Sequence, residues 1–156
     1  MADEPISALD VSIKAQIINL MHNLQQQLKL TYLFIAHDQA VVRRISDRMA
    51  VMYLGKVMEL TDSNTIYEDP LHPYTQSLFA AIPIPDPEKG ARTRGQLVLL
   101  DGEVPSPENP PEGCAFCTRY PRKREVFEAK KIDCSTKAPT FAEAMPKHWT
   151  ACHLYT

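Results

Sequence analysis

Thirteen of the 156 residues are proline, and nine of those fall between Pro70 and Pro111. An ordinary chain carries about 5% proline. Proline has no amide hydrogen and a fixed φ, so it stops helices and is kept out of central strands. Regular structure is therefore expected before Pro70, and the fold is expected to change character there. Hydrophobic residues make up 44% and charged residues 23% of the chain, close to soluble averages, which excludes a wholly disordered chain or a coiled coil. The length fits one domain, or one with a small appendage. No run of about 18 apolar residues occurs, and the opening MADEPISALD lacks the basic and apolar regions of a secretion signal. These features predict a soluble, cytosolic chain.

The net charge of -2 is unevenly spread: acidic and basic residues number 6 and 6 over 1–60, 9 and 3 over 61–113, and 4 and 8 over 114–156. The basic tail holds Arg119, Arg122, Lys123, Arg124, Lys130 and Lys131. With a pI near 6.2 and no recognition-helix pattern, a solvated basic face is expected rather than a nucleic-acid partner.

After Asp10, a natural N-cap, the apolar positions Ile13, Ile17, Leu20, Met21, Leu24 and Leu28 recur at helical spacing. Thr31–Ala36, TYLFIA, is a β-branched and aromatic run without alternation, as in a strand covered on both faces of a parallel sheet. His37 and Asp38 end that strand, and Val41, Val42 and Ile45 continue as a short helix. Arg48–Tyr53 and Val57–Leu60 read as two strands joined by a tight turn at Gly55. Ser63 is placed to cap a further short helix that Pro70 stops. Together these predict an α/β fold. The beginning is unusual in supplying the end of a strand without its body, and residues 1–60 provide too few strands for a doubly wound sheet. The expectation is that this piece adds to another chain or belongs to a longer protein.

In open parallel sheets, polar residues at the carboxyl ends of strands line the ligand crevice. Asp3, Glu4 and His37 occupy such positions. Adjacent carboxylates there suit divalent-metal chemistry, one holding Mg²⁺ and the other polarising a water. Taken singly, an Asp-Glu pair near a terminus is more often merely solvated, and a lone His after a strand is usually a structural hydrogen-bonder.

In combination, Asp3-Glu4-Pro5, Ser7-Ala8-Leu9-Asp10 and FIAHD at Phe34–Asp38 resemble the ATPase subunits of ATP-binding cassette importers of dipeptides and oligopeptides. The resemblance implies that residues 1–69 are the C-terminal part of a P-loop NTPase cassette, with the Walker B end, D-loop and switch histidine. It implies that Asp3 coordinates the Mg²⁺ of Mg-ATP, that Glu4 is the general base, that Ser7 and Asp10 form the D-loop at a dimer interface, and that His37 contacts the γ-phosphate. Ile6 stands where Thr is usual. The segments LHPYTQSLFAAIPIPDP at Leu71–Pro87 and LDGEVPSPENPPEGCAF at Leu100–Phe116 resemble the C-terminal extension peculiar to these importers. Residues 70–156 are thus expected to be a small irregular, Pro-rich, Cys-containing domain, with a short helix over Tyr74–Ile82 and extended backbone beyond it. The implied partners are a second ATPase subunit, identical or not, transmembrane permease subunits and, indirectly, a peptide-binding protein. The implied location is the cytoplasmic face of the inner membrane.

Cys114, Cys117, Cys134 and Cys152 all lie in the last 43 residues. Clustered cysteines in a cytosolic chain point to metal, as Zn²⁺ or a [4Fe–4S] cluster, ahead of free thiols or disulfides. Relatives carry a four-cysteine site with a pattern like C-x-F-x-x-R-C-P. Here the stretch is Cys114-Ala115-Phe116-Cys117-Thr118-Arg119-Tyr120-Pro121, with Tyr120 in place of a cysteine and Cys117 three residues earlier.

None of the five glycines is followed by Lys-Ser or Lys-Thr, so the chain has no P-loop to cradle phosphates, and it has no LSGGQ-like motif. By itself it is expected neither to bind ATP tightly nor to hydrolyse it. A complete ATPase subunit of which this is a portion, a non-catalytic metal-binding accessory and an inactive remnant all remain open.

Overall fold

The computed structural model describes residues 1–7, 9–81, 100 and 102–155. It contains two compact units, Met1–Asp47 and Arg48–Thr156.

In the first unit, β1 (Ala2–Asp3) pairs in parallel with β2 (Phe34–Ile35), Ala2 opposite Phe34 and Asp3 opposite Ile35. The connection is α1 (Val11–Leu28), the crossover helix that a parallel pair requires. Asp10 caps it as expected, its carboxylate accepting from the Ile13 amide at 2.9 Å. Lys29, in the left-handed region at φ 54°, closes the helix. A second helix, α2 (Gln39–Ile45), is capped by Asp38, which accepts from the Val41 amide at 3.3 Å. Ile6, Ile18 and Val41 form the buried core, with Leu9, Ile17, Phe34 and Ile45 packed against it. The expected coverage of TYLFIA on both faces is not found: Leu33 and Ile35 are 61% and 44% exposed, and of that run only Phe34 and Ile35 lie in the ladder. Along the helical stripe, Leu20 and Leu28 are likewise exposed. A two-strand sheet has too little surface to cover them.

The second unit is built on an antiparallel sheet in the order β3-β4-β6-β5. Strands β3 (Arg48–Tyr53) and β4 (Lys56–Asp62) form the expected hairpin. Leu54 and Gly55 turn it at φ 45° and 74°, the paired positive dihedrals of the turns that match strand twist. β3 buries Met49, Val51 and Tyr53 and exposes the residues between. After α3 (Ser63–Glu68) and α4 (Pro73–Ala80), a 3₁₀ turn (Cys117–Arg119) and α5 (Lys123–Lys130) lead to the hairpin of β5 (Ala142–Met145) and β6 (His148–Thr150). β6 pairs with β4, Glu59 opposite Thr150 and Leu60 opposite Trp149. The C-terminal residues are therefore not a separate irregular domain. Their last hairpin widens the sheet that β3 and β4 begin, and that pairing places residues 48–69 in one compact unit with the extension.

The α4 helix starts one residue before the expected Tyr74–Ile82 span and ends at Ala80, with Ala81 as its C-cap; Ile82 with the rest of 82–99 lies outside the described residues, as does Asp101. Its cap is His72, whose Nδ1 accepts from the Tyr74 amide at 3.1 Å, with Pro73 at the first helical position where its missing N–H costs nothing. Phe79 stacks on Tyr67 with centroids 4.3 Å apart. The basic tail is ion-paired on its surface: Arg122 grips Glu125 through two bonds of 2.7 and 2.6 Å, and Arg124 meets Glu128 at 2.8 Å. This is the solvated face expected from the charge pattern.

Glu59 is fully buried on β4. Its Oε1 accepts from the Leu71 amide at 2.7 Å and from His148 Nε2 at 2.6 Å, and its Oε2 from the His72 amide at 3.0 Å. One carboxylate thus satisfies two backbone donors ahead of α4 and one side chain on β6. Removing it by Glu59→Ala leaves those donors buried and unpaired, a loss of about 3–5 kcal/mol. Urea unfolding of the chain should show a correspondingly lower midpoint, whereas Glu143→Ala, on the exposed side of β5, should leave the midpoint nearly unchanged.

Burial pulls the His72 imidazole down to about 4, against the opposing pull of a backbone hydrogen bond to Ala151. With Nδ1 accepting from Tyr74, that second bond uses Nε2–H, so the folded ring is neutral. The unfolded chain takes up a proton near 6.5 that the folded chain refuses until about 4. Stability therefore falls as pH drops through the window from 6.5 to 4, by on the order of 3 kcal/mol. Asn at position 72 can still cap α4 without titrating, so His72→Asn should flatten that acid limb in denaturation curves measured between pH 7 and 4.

Candidate functional site

The parallel register sets the carboxyl ends of β1 and β2 side by side. The Ala2 amide donates to the Leu33 carbonyl and the Glu4 amide to the Ile35 carbonyl, both at 2.8 Å. Just beyond these bonds the two strands deliver Glu4 and His37. Their side chains meet, His37 Nδ1 lying 2.9 Å from Glu4 Oε1. An ionised carboxylate can only accept, so the imidazole donates through Nδ1–H.

Glu4 turns the chain sharply at φ 43°, a left-handed position that costs a non-glycine residue energy and is common at functional turns. The turn is held from the next residues: the Ser7 hydroxyl and amide both donate to the Glu4 carbonyl, at 3.1 and 3.3 Å. Buried Ile6 anchors the same turn in the core. Ser7 thereby supports the backbone of Glu4, and Asp10 caps α1. Ala8, between them, is outside the described residues.

The start of α2 positions His37. Asp38 caps that helix and also meets Lys14 Nζ at 3.5 Å, which ties the strand end to α1. In the sequence Asp38 reads only as a strand terminator. An Asp three residues before Val41, at the start of a periodic run, is the capping signal that identifies it.

Both members of the Glu4–His37 pair are substantially exposed, so a ligand can reach them. The Asp3 carboxylate has no hydrogen bond or ion pair among the described residues. Two neighbouring carboxylates with free oxygens suit a hard cation that takes its remaining ligands from water and phosphate. The oxygen donors of Asp3 and Glu4 are of the type such a cation takes, and no group of three or more His, Cys, Asp or Glu side chains among the described residues is arranged to hold a metal ion.

The cysteines behave differently from the expectation. All four are buried in one core cluster with Tyr53, Met58, Phe116, Tyr120 and Val126. Gly113 allows this, because a Cβ there would meet the Cys134 carbonyl at 2.5 Å, and the Cys114 amide donates to that carbonyl at 2.8 Å. Among the described residues, however, no three His, Cys, Asp or Glu side chains stand in a metal-holding arrangement. The Tyr120 hydroxyl and Cys152 Sγ share a hydrogen bond at 3.3 Å. Burial pushes the Cys114 thiol up to about 11 and raises Cys134 and Cys152 as well. Cys114, Cys117, Cys134 and Cys152 as arranged do not fit the expected zinc or iron–sulfur site.

Residues 58–126 match the family model described as the oligopeptide/dipeptide transporter C-terminal region. The whole chain is 53% identical to the oligopeptide transport ATP-binding protein AppF of Bacillus subtilis, of which it covers 45%. It is 47% identical over 152 residues to the oligopeptide transport ATP-binding protein OppF of Haemophilus influenzae, covering 43% of that protein. This chain is a homologue of the ATP-binding subunits of oligopeptide transporters. It spans less than half the length of these relatives and corresponds to their C-terminal part. His72-Pro73-Tyr74 lies within the matched C-terminal region.

Burial of the thiols should show directly in their reactivity. Ellman's reagent should titrate fewer than one of the four thiols of the native chain within minutes and all four after addition of guanidinium. Rapid native labelling of Cys114 or Cys134 would show that the cluster opens.

Proposed function

We propose that this chain supplies the hydrolytic edge of an ATP-driven subunit that energises import of dipeptides or oligopeptides. The observation that carries the reading is the 2.9 Å contact between Glu4 and His37 at the carboxyl ends of adjacent parallel strands. In this reading Asp3 holds Mg²⁺, whose charge neutralises the β- and γ-phosphate oxygens when Mg-ATP is bound. Glu4 accepts the proton of the attacking water, and its exposed carboxylate is the base that the strained turn positions. His37 holds Glu4 in place through Nδ1–H and reaches a γ-phosphate oxygen through Nε2. For both nitrogens to donate at once, the ring must carry two protons. Ser7 and Asp10 stiffen the loop that meets a second ATPase subunit.

The phosphate-cradling P-loop must come from polypeptide beyond these 156 residues. Transmembrane permease subunits and, through them, a peptide-binding protein complete the assembly, with this subunit on the cytoplasmic face of the membrane. No helix among the described residues is long and apolar enough to cross it. Peptide choice is assigned to those other subunits.

In the assembled transporter, Glu4→Gln should lower ATP turnover about 10²-fold or more while nucleotide binding is retained. His37→Ala should produce a similar loss. Turnover by Glu4→Gln within threefold of the parent would remove Glu4 from the role of base.

A further inference from the structure

The second unit encloses a cavity of about 370 Å³, and every residue that lines it belongs to that unit. Its walls follow from small side chains. Ala115, Ala138 and Ala151 stand where strand β4, the turn before the 3₁₀ helix and the segment leading into β5 come together, and they leave the space between those elements open. Met58, Ala115 and Ala151 are 2%, 2% and 6% exposed and form the inner wall. Lys56, Ala138 and Phe141 are exposed and form the mouth.

The inner wall offers a ligand no free polar group at the points that the backbone pairing crosses. The Met58 carbonyl is taken by the Ala151 amide at 2.8 Å and by the Thr150 hydroxyl at 3.1 Å, and the Cys114 amide by the Cys134 carbonyl at 2.8 Å. Among the lining residues the one side-chain nitrogen or oxygen is Lys56 Nζ. It makes no ion pair among the described residues. The charged neighbours in sequence of the lining residues Gly113 and Ala138 are Glu112 and Lys137, of opposite sign, so the charge left at the mouth is that of Lys56.

Water in such a space gives up hydrogen bonds that the walls do not return, and an apolar group displaces it favourably. The volume is that of a small-molecule pocket, whose few polar groups fix the orientation of a mostly apolar ligand. We propose that this cavity binds a short-chain carboxylic acid, its hydrocarbon part against Met58, Ala115 and Ala151 and its carboxylate at the Lys56 ammonium. One ammonium balances one negative charge, whereas a phosphate monoester would carry a second into the apolar mouth beside Phe141, where desolvation is expensive. Two sources offer this chemistry, a free alkyl acid and the terminal residue of a peptide that ends in an apolar side chain.

The test is an NMR titration of the 156-residue chain with butanoate, hexanoate and octanoate at constant ionic strength, following the methyl signals of Met58 and Ala151. Each methylene that enters the cavity should tighten binding about fourfold. Each acid should bind about three- to fivefold more tightly than its primary amide, the equivalent of a partly exposed ion pair. Lys56→Gln should erase that preference and leave the affinities of the amides unchanged. Ala151→Leu fills the interior and should abolish binding. Should that variant not fold, Ala138→Leu, at the exposed mouth, obstructs entry and should weaken octanoate about fivefold or more. N-acetyl-leucine separates the sources: affinity comparable to that of hexanoate identifies a peptide terminus as a ligand, and hexanoate binding without it identifies a free alkyl acid. No saturable shift with any acid, affinity independent of chain length, an acid preference that survives Lys56→Gln, or octanoate binding unchanged in Ala138→Leu would overturn the proposal.

Discussion

A single buried carboxylate joins the two ends of the larger unit. Glu59 stands in the middle of β4, and through it the strand grips the backbone at Leu71 and His72 and the ring of His148. Those contacts fix the start of α4 and the register of β6 from one point, and His72 in turn uses its ring to cap the helix that its own amide helps anchor. An acidic residue is almost never fully buried without compensation. Here three donors supply it, so the energetic penalty of burial becomes specificity: any other pairing of β6 on β4 would separate His148 from the carboxylate and leave both unsatisfied. The hairpin 89 residues away is held in register by this side-chain hydrogen bond as well as by backbone pairing.

The first unit solves a related problem with backbone strain. Strand ends in a parallel pair are adjacent by construction, so residues just past them converge without any long-range specification. What the local sequence adds is the sharp turn at Glu4, fixed by Ser7 below and Ile6 in the core, and the capped start of α2 behind His37. The acid and the imidazole are thereby presented from two rigid elements on an exposed edge. The exposed Leu33, Ile35, Leu20 and Leu28 on the same unit are what a strand and a helix made for a larger sheet would show, in keeping with a chain that corresponds to only part of its relatives' length.

The legible features are those determined locally. Asp10 and the periodicity after it give α1, and the Leu54-Gly55 turn gives the β3–β4 hairpin. DEP, SALD and FIAHD point to the site because the parallel register places their residues by topology alone. Features set by distant partners are not legible. Nothing around Glu59 distinguishes it from a solvated glutamate, since its donors lie 12, 13 and 89 residues ahead. The short strands at 142–145 and 148–150 are too brief for alternation to register, so the tail reads as irregular. Clustered cysteines indicate metal by composition, yet their protonation is decided by burial, which composition does not report.

Tyr120 helps to shape the cluster around the cysteines. Its hydroxyl shares a hydrogen bond with Cys152 Sγ, and its ring packs against Phe116 at 6.2 Å. Each thiolate brought into such a core would face desolvation without a cation to offset it, so the neutral thiol is the form consistent with the packing. The same aromatic cluster then extends through Phe116 to Tyr53 and Tyr74.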